Sequence, residues 1–125
     1  MTDVIFEEKS PFYWVYMLEC ENGSFYTGYT KDMQARYLQH LHGKGGAKYT
    51  RANRPLGIAR CWQFKGSAGM AMKIEYFIKS KSRREKELLV KNPEALEPLL
   101  LDSAGIEVEL LVFDHGLINK ERPAT

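Results

Sequence analysis

The chain has 125 residues, 44% of them hydrophobic and fifteen of them aromatic (7 Tyr, 6 Phe, 2 Trp), so one folded domain is expected and a largely disordered chain is excluded. Eighteen Lys/Arg against sixteen Asp/Glu leave a formal net charge of only +2. No apolar run approaches the length of a membrane span, and Met1-Thr2-Asp3 opens no signal peptide.

Residues 1–12 show no period and read as a lead-in. Tyr13 to Glu19, rich in aromatic and branched residues, is predicted as a strand, and Phe25 to Thr30 as a second. The turn signal Glu21-Asn22-Gly23-Ser24 joins them in a hairpin. Its length decides which residues share a face. A two-residue turn at Asn22-Gly23 would set Tyr16 opposite Tyr29, with Tyr26 on the other face. A three-residue loop with Gly23 left-handed would set Tyr16 opposite Gly28 and Tyr26 opposite Leu18, with both tyrosines on one face. The odd-length loop is predicted.

Asp32 can cap a helix from Met33 to His42, whose apolar Met33, Tyr37, Leu38 and Leu41 recur at helical spacing, and Gly43 ends it. Residues 43–57, Gly-rich and basic, read as a long loop. Ile58 to Phe64 is a third strand, and Ser67 caps a helix through Lys79 with Ala71, Ile74 and Ile78 on one stripe. Ser82-Arg83-Arg84-Glu85 fits a capping box opening another helix, closed by Asn92-Pro93. Glu94 to Leu101 reads as a short helix, Gly105 to Phe113 as a last strand and 114–125 as a polar tail. The fold class expected is a single α/β (α+β) domain, a small, mainly antiparallel sheet of three or more strands flanked by helices. It would occupy residues 13–92, between the lead-in and an acidic C-terminal extension at 93–125.

The charge of +2 hides a strong division. Residues 31–91 hold fifteen basic and four acidic residues, a net +11, while the remainder holds three and twelve, a net −9. A basic middle of this kind suits a polyanion such as nucleic acid. Cys20 and Cys61 lie 41 positions apart without metal-ligand spacing, which fits a reduced, cytoplasmic protein.

Trp14-Val15-Tyr16 and Tyr26-Thr27-Gly28 are followed by Arg36 ten residues after Tyr26, His40 a turn later and Glu75 on the helix after the third strand. This ordered set resembles the GIY-YIG nuclease superfamily, in its small single-domain branch, over about residues 13–92. The chain departs from the family pattern at Trp14 and Val15, and at Tyr29, where excision-repair members carry a lysine that Lys31 could replace as a nearby charge.

The resemblance implies a metal-dependent endonuclease acting on DNA phosphodiester bonds, of the kind used in repair or recombination. Tyr16 would activate or orient water, with Tyr26 aiding it or binding phosphate. Arg36 would stabilise charge on the phosphate, and Glu75 would bind one Mg²⁺ or Mn²⁺. His40 would carry a proton, contact phosphate or hold structure. The residue types agree with this chemistry. Arg36 is a permanent planar cation that can bridge two phosphate oxygens, and it shares a helix face with His40. Glu75 is the only acid in the 52 positions from Met33 to Arg84. It can serve as a single carboxylate on Mg²⁺, or as a surface partner of Lys79.

Lys31, Lys44, Lys48, Arg51, Arg54, Lys81, Arg83 and Arg84 are candidate contacts to the DNA backbone. DNA is the expected partner, with a targeting protein as a further one, and no membrane is involved. Two other readings stand beside the enzyme. One is a nucleic-acid-binding module with little turnover. The other is a protein-interaction module that binds a basic partner through Glu107, Glu109 and Asp114.

Overall fold

The computed structural model describes residues 11–43 and 48–113, with Lys48 described in its backbone only. Most of the lead-in, Lys44 with residues 45–47, and the tail from Asp114 onward lie outside the described residues. Strands β1 (Phe12–Cys20) and β2 (Phe25–Thr30) form the hairpin. Helix α1 (Met33–His42) and the five-residue helix α2 (Lys48–Ala52) follow, then strand β3 (Pro55–Lys65). Helices α3 (Ala68–Lys79) and α4 (Arg83–Lys91), a 3₁₀ turn (Pro93–Ala95), helix α5 (Leu96–Ala104) and the two-residue strand β4 (Leu111–Val112) complete the chain.

The four strands form one antiparallel sheet in the order β2-β1-β3-β4. The hairpin has the three-residue loop. Gly23 takes φ 84°, in the left-handed region, where a glycine carries no steric penalty. The Cys20 N–H donates to the Ser24 carbonyl at 2.9 Å. Tyr16 therefore opposes Gly28 and Tyr26 opposes Leu18.

Side chains alternate across a strand, and the two faces of this sheet bury two separate apolar clusters. On one face Val15, Met17, Trp62 and Phe64 pack with Ala71, Ile74, Phe77, Ile78, Leu89, Leu96 and Leu100 from α3, α4 and α5. On the other, Tyr16, Leu18, Ile58 and Cys61 pack with Met33 and Tyr37 of α1. The sheet is thus the middle layer between α1 and the later helices. Both cysteines are buried.

The expected helix starts are present. Asp32 accepts from the Ala35 N–H at 3.1 Å and Ser67 from the Met70 N–H at 3.2 Å. Ser82 and Glu85 cap each other's backbone at 3.1 and 2.8 Å. Pro98 falls in the first turn of α5, where its missing N–H is no loss.

Three expectations are corrected. The segment 43–57 is not all loop: α2 forms at Lys48–Ala52, and β3 begins at Pro55 rather than Ile58. The last strand shrinks from 105–113 to Leu111–Val112. There the Glu97 carboxylate takes the Leu110 N–H at 2.9 Å, while Ile106, Val108 and Leu110 satisfy their alternation by packing against the core. In the segment 93–113, Leu96 and Leu100 are fully buried in the same cluster as residues of β1 and β3.

Candidate active site

The site lies on the α1 face of the sheet. Tyr16 projects from the middle of β1 and is 1% exposed. Its partner across the hairpin is Gly28, and that glycine makes room for it. A Cβ at position 28 would lie 2.5 Å from the Tyr16 hydroxyl and 2.7 Å from Cζ. Tyr26, two residues before Gly28, shares this face and is half-buried, with its ring centroid 6.4 Å from that of Tyr16.

Helix α1 brings Arg36 and His40 to the same place. His40 is 1% exposed, unusual for a histidine and tolerated because both ring nitrogens are bonded. Nε2 lies 2.8 Å from the Tyr16 hydroxyl, and Nδ1 lies 2.7 Å from the Thr50 hydroxyl. The His40 ring also contacts Tyr26, with centroids 5.1 Å apart. The Arg36 guanidinium donates to Tyr16 and, through Nη1, to the Gln39 side-chain oxygen at 2.8 Å.

Burial dominates the electrostatics. It pushes the Tyr16 phenol far above its ordinary value, against the pull of the hydrogen bond from Arg36, and the charges of Tyr26 and Glu75 add to the rise. Burial, helped by the Arg36 charge, lowers His40 from 6.5 to about 4. At neutral pH the site therefore holds a protonated phenol beside a neutral imidazole.

Glu75 arrives from the opposite layer. Helix α3 packs against β2 and β1. β2 is an edge strand, and the Glu75 charge adds to the upward shift of the Tyr16 phenol. The side chain is 20% exposed, and its Oε2 lies 3.4 Å from Lys79 Nζ. The i+4 pairing is therefore real, although an exposed pair of this kind is weak enough for a stronger ligand to displace. Among the described residues no group of three or more His, Cys, Asp or Glu gathers to hold a metal. A lone carboxylate suits Mg²⁺, which keeps water and substrate phosphate as its other ligands. It does not suit a closed all-protein site such as structural zinc.

The candidate backbone contacts are dispersed. Arg51 and Arg54 are exposed on and beside α2, next to the site, and Arg84 is exposed on α4. Lys31 lies over the Tyr13 ring at 5.4 Å and Lys81 over Phe77 at 4.1 Å. Arg83 covers Phe25 at 4.7 Å, pairs with Glu87 at 2.9 Å and donates to the Gly23 carbonyl. Tyr13, Phe25 and Phe77 belong to the core on the α3 side, so these three cations sit on the layer opposite Tyr16. Lys44 and the Lys48 side chain lie outside the described residues.

Sequence reasoning missed Tyr49 and Thr50, both on α2. Tyr49 is 39% exposed and stacks on Tyr26, with centroids 6.1 Å apart. Its hydroxyl bonds to Asn22 at 3.1 Å and to Ser24 in the hairpin loop. Thr50 is 2% exposed. The available signal was an aromatic and a hydroxyl side by side in a basic, glycine-rich segment whose other large apolar residue, Leu56, is exposed.

The family model of the GIY-YIG catalytic domain matches residues 12–88. The UPF0213 protein BH0048 of Halalkalibacterium halodurans is 50% identical over 78 residues, covering 62% of this chain and 81% of that protein. The UPF0213 protein VNG_2274C of Halobacterium salinarum is 47% identical over 75 residues, covering 60% and 95%. The solution NMR structure of the UPF0213 protein BH0048 from Bacillus halodurans is 49% identical, with a TM-score of 0.41 over 64% of this chain and 83% of that one. The match spans the hairpin, both short motifs and the helices that carry Arg36, His40 and Glu75, and on that ground the chain belongs to the GIY-YIG catalytic domain family.

Proposed function

We propose that the protein is an endonuclease that hydrolyses DNA phosphodiester bonds with one divalent cation, Mg²⁺ or Mn²⁺, held at Glu75. The observation that carries this reading is the convergence of Tyr16, Arg36 and His40, hydrogen-bonded through the Tyr16 hydroxyl, with the Tyr26 ring packed against them and the Glu75 charge acting on Tyr16.

The protonation states suggest how the residues act. A buried phenol that holds its proton is a poor base by itself. Its neighbour is a neutral imidazole at hydrogen-bond distance. The Tyr16 oxygen takes a proton from the attacking water while its own proton passes to His40 Nε2, so no free phenolate forms and the positive charge ends on the imidazole. The resulting hydroxide attacks phosphorus, the bond to the leaving oxygen breaks, and that oxygen takes a proton from solvent. Arg36 supplies a permanent cation for the phosphate oxygens as charge builds on them. Tyr26, the more exposed of the two tyrosines, hydrogen-bonds the phosphate and orients it. A cation bound at Glu75 would neutralise further charge on the phosphate and leaving oxygens.

The test is cleavage of a panel of single-stranded, nicked, flap and branched DNA in Mg²⁺ or Mn²⁺. Glu75→Ala should abolish metal-dependent cleavage, and Arg36→Ala should lower turnover more than binding. DNA binding without cleavage by the unaltered chain would replace the enzyme with a binding module. Cleavage that persists in Glu75→Ala would remove the metal role from that residue.

A further inference from the structure

We propose that Thr50 is a positioning residue of this site: its hydroxyl accepts the Nδ1 proton of His40 and thereby fixes the tautomer whose bare Nε2 receives the Tyr16 proton. The proposal rests on the nuclease reading for its catalytic consequence, but not for its geometry.

Hydrogen-bond accounting leads to the tautomer. Tyr16 is 1% exposed, so in the resting protein its hydroxyl proton needs an acceptor inside the fold. Arg36, bonded to the same oxygen, has only donors to offer. His40 Nε2, at 2.8 Å, is the acceptor in place. It can accept only if it carries no proton, and a neutral imidazole then carries its proton on Nδ1. That N–H points at the Thr50 hydroxyl oxygen, 2.7 Å away, and the hydroxyl accepts it. The order of donation is Arg36 to Tyr16, Tyr16 to His40, and His40 to Thr50. In the opposite tautomer Nε2–H would donate to Tyr16, leaving the phenol proton without this acceptor and His40 without a lone pair to take it. A histidine serves as a base only in the tautomer that its second nitrogen's partner selects.

The position of Thr50 is itself secured from outside α2. Five residues are too few for a helix to stand alone. The segment is instead tied down by the Tyr49 hydroxyl to Asn22 and Ser24, by Tyr49 stacking on Tyr26, and by the Glu21 N–H donating to the Arg54 carbonyl at 2.9 Å. These ties join the hairpin loop to both sides of α2 and hold the Thr50 hydroxyl, 2% exposed, against the imidazole. Threonine, rather than a carboxylate, accepts the proton without adding a negative charge that would favour imidazolium.

The experiment uses the full chain labelled with ¹⁵N-histidine, with Thr50→Val and Thr50→Ser beside it. Long-range ¹H–¹⁵N correlation reads which His40 nitrogen is protonated. The unaltered protein and Thr50→Ser should show Nδ1 protonated, while Thr50→Val shifts towards the Nε2-protonated or a mixed form. On DNA, Thr50→Val should lose about 10–100-fold in kcat with little change in KM, and Thr50→Ser should recover most of it. An Nε2-protonated imidazole in the unaltered protein overturns the proposal even if Thr50→Val fails to fold. So does a Thr50→Val protein with unaltered nitrogen shifts, or one that changes KM alone. If the unaltered chain cleaves no DNA, the nuclease reading falls, while the nitrogen shifts still decide the tautomer.

Discussion

Gly28 lacks a side chain where Tyr16 needs the space. The Tyr16 ring is held over it by His40 and Arg36 and is almost wholly buried, so it cannot swing away cheaply from a methyl group placed 2.5 Å from its hydroxyl. Gly28→Ala should cost about 1–3 kcal/mol as an overpacking change and should push Tyr16 out of reach of His40. Circular dichroism should show the fold retained, and single-turnover cleavage should fall by at least about tenfold. His40 makes a prediction of its own. Its folded value of about 4 lies below its ordinary 6.5, so the unfolded chain binds more protons between those values. The stability contributed by neutral His40 is complete above about pH 6.5 and is lost as pH falls towards 4. From pH 7 to pH 4.5, urea unfolding should show about 2–3 kcal/mol more loss in the natural protein than in His40→Gln. At this scale the meeting of Tyr16, Arg36 and His40 was legible, because the hairpin register and the four-residue helix spacing follow from the order of the residues. Thr50 and Tyr49 were not, because their partners lie ten and about twenty-five residues away and nothing in the local pattern encodes that contact.

Among the elements, legibility followed the source of the stabilising bonds. α1, α3 and α4 carry their own caps and apolar stripes, and their boundaries agree closely with the expected ones. The hairpin register followed from one glycine, since only a left-handed Gly23 gives the three-residue loop. α2 is only five residues long, and tertiary hydrogen bonds place it. β4 shows the converse: an alternating segment whose pattern serves packing, with only two residues joining the ladder. The capping box of α4 gives a clean test of an element whose formation is local. Backbone and side-chain bonds from Ser82 hold the Glu85 carboxyl below the usual carboxylate range. Ser82→Ala should destabilise the protein by about 1 kcal/mol, lowering Tm by about 3–5 °C. Turnover should be unchanged in calorimetry-matched samples, because the box lies away from the Tyr16 cluster.

For the whole molecule, the uneven charge survives as a property of the chain, but its two parts are not two bodies. The acidic C-terminal portion shares the core of the basic segment: Leu96 and Leu100 lie beneath Trp62, whose indole N–H donates to the Pro93 carbonyl at 2.9 Å. Removing residues 93–125 would therefore confound charge with folding. Leu100→Ala should cost about 2–5 kcal/mol in urea unfolding, a loss out of scale for a dispensable extension. The charge question is better put by Glu107→Gln with Glu109→Gln, two exposed acids on the described part of that segment. If they repel DNA from one side, the pair should tighten binding at low salt and lose that gain as salt rises. Unchanged affinity at low salt would dismiss the repulsion.

The two buried faces of the sheet also divide the indoles. Trp62 lies wholly within the layer under α3–α5, while Trp14 lies half-buried on the side of Tyr16, with its ring edge-on to Phe113 at 4.7 Å. Each layer therefore carries its own fluorophore. A Trp14→Phe protein would emit only from the α3–α5 layer and a Trp62→Phe protein only from the layer that holds Tyr16. Unfolding followed in the two proteins would then show whether the layers melt together, or whether the site loosens while its scaffold stands.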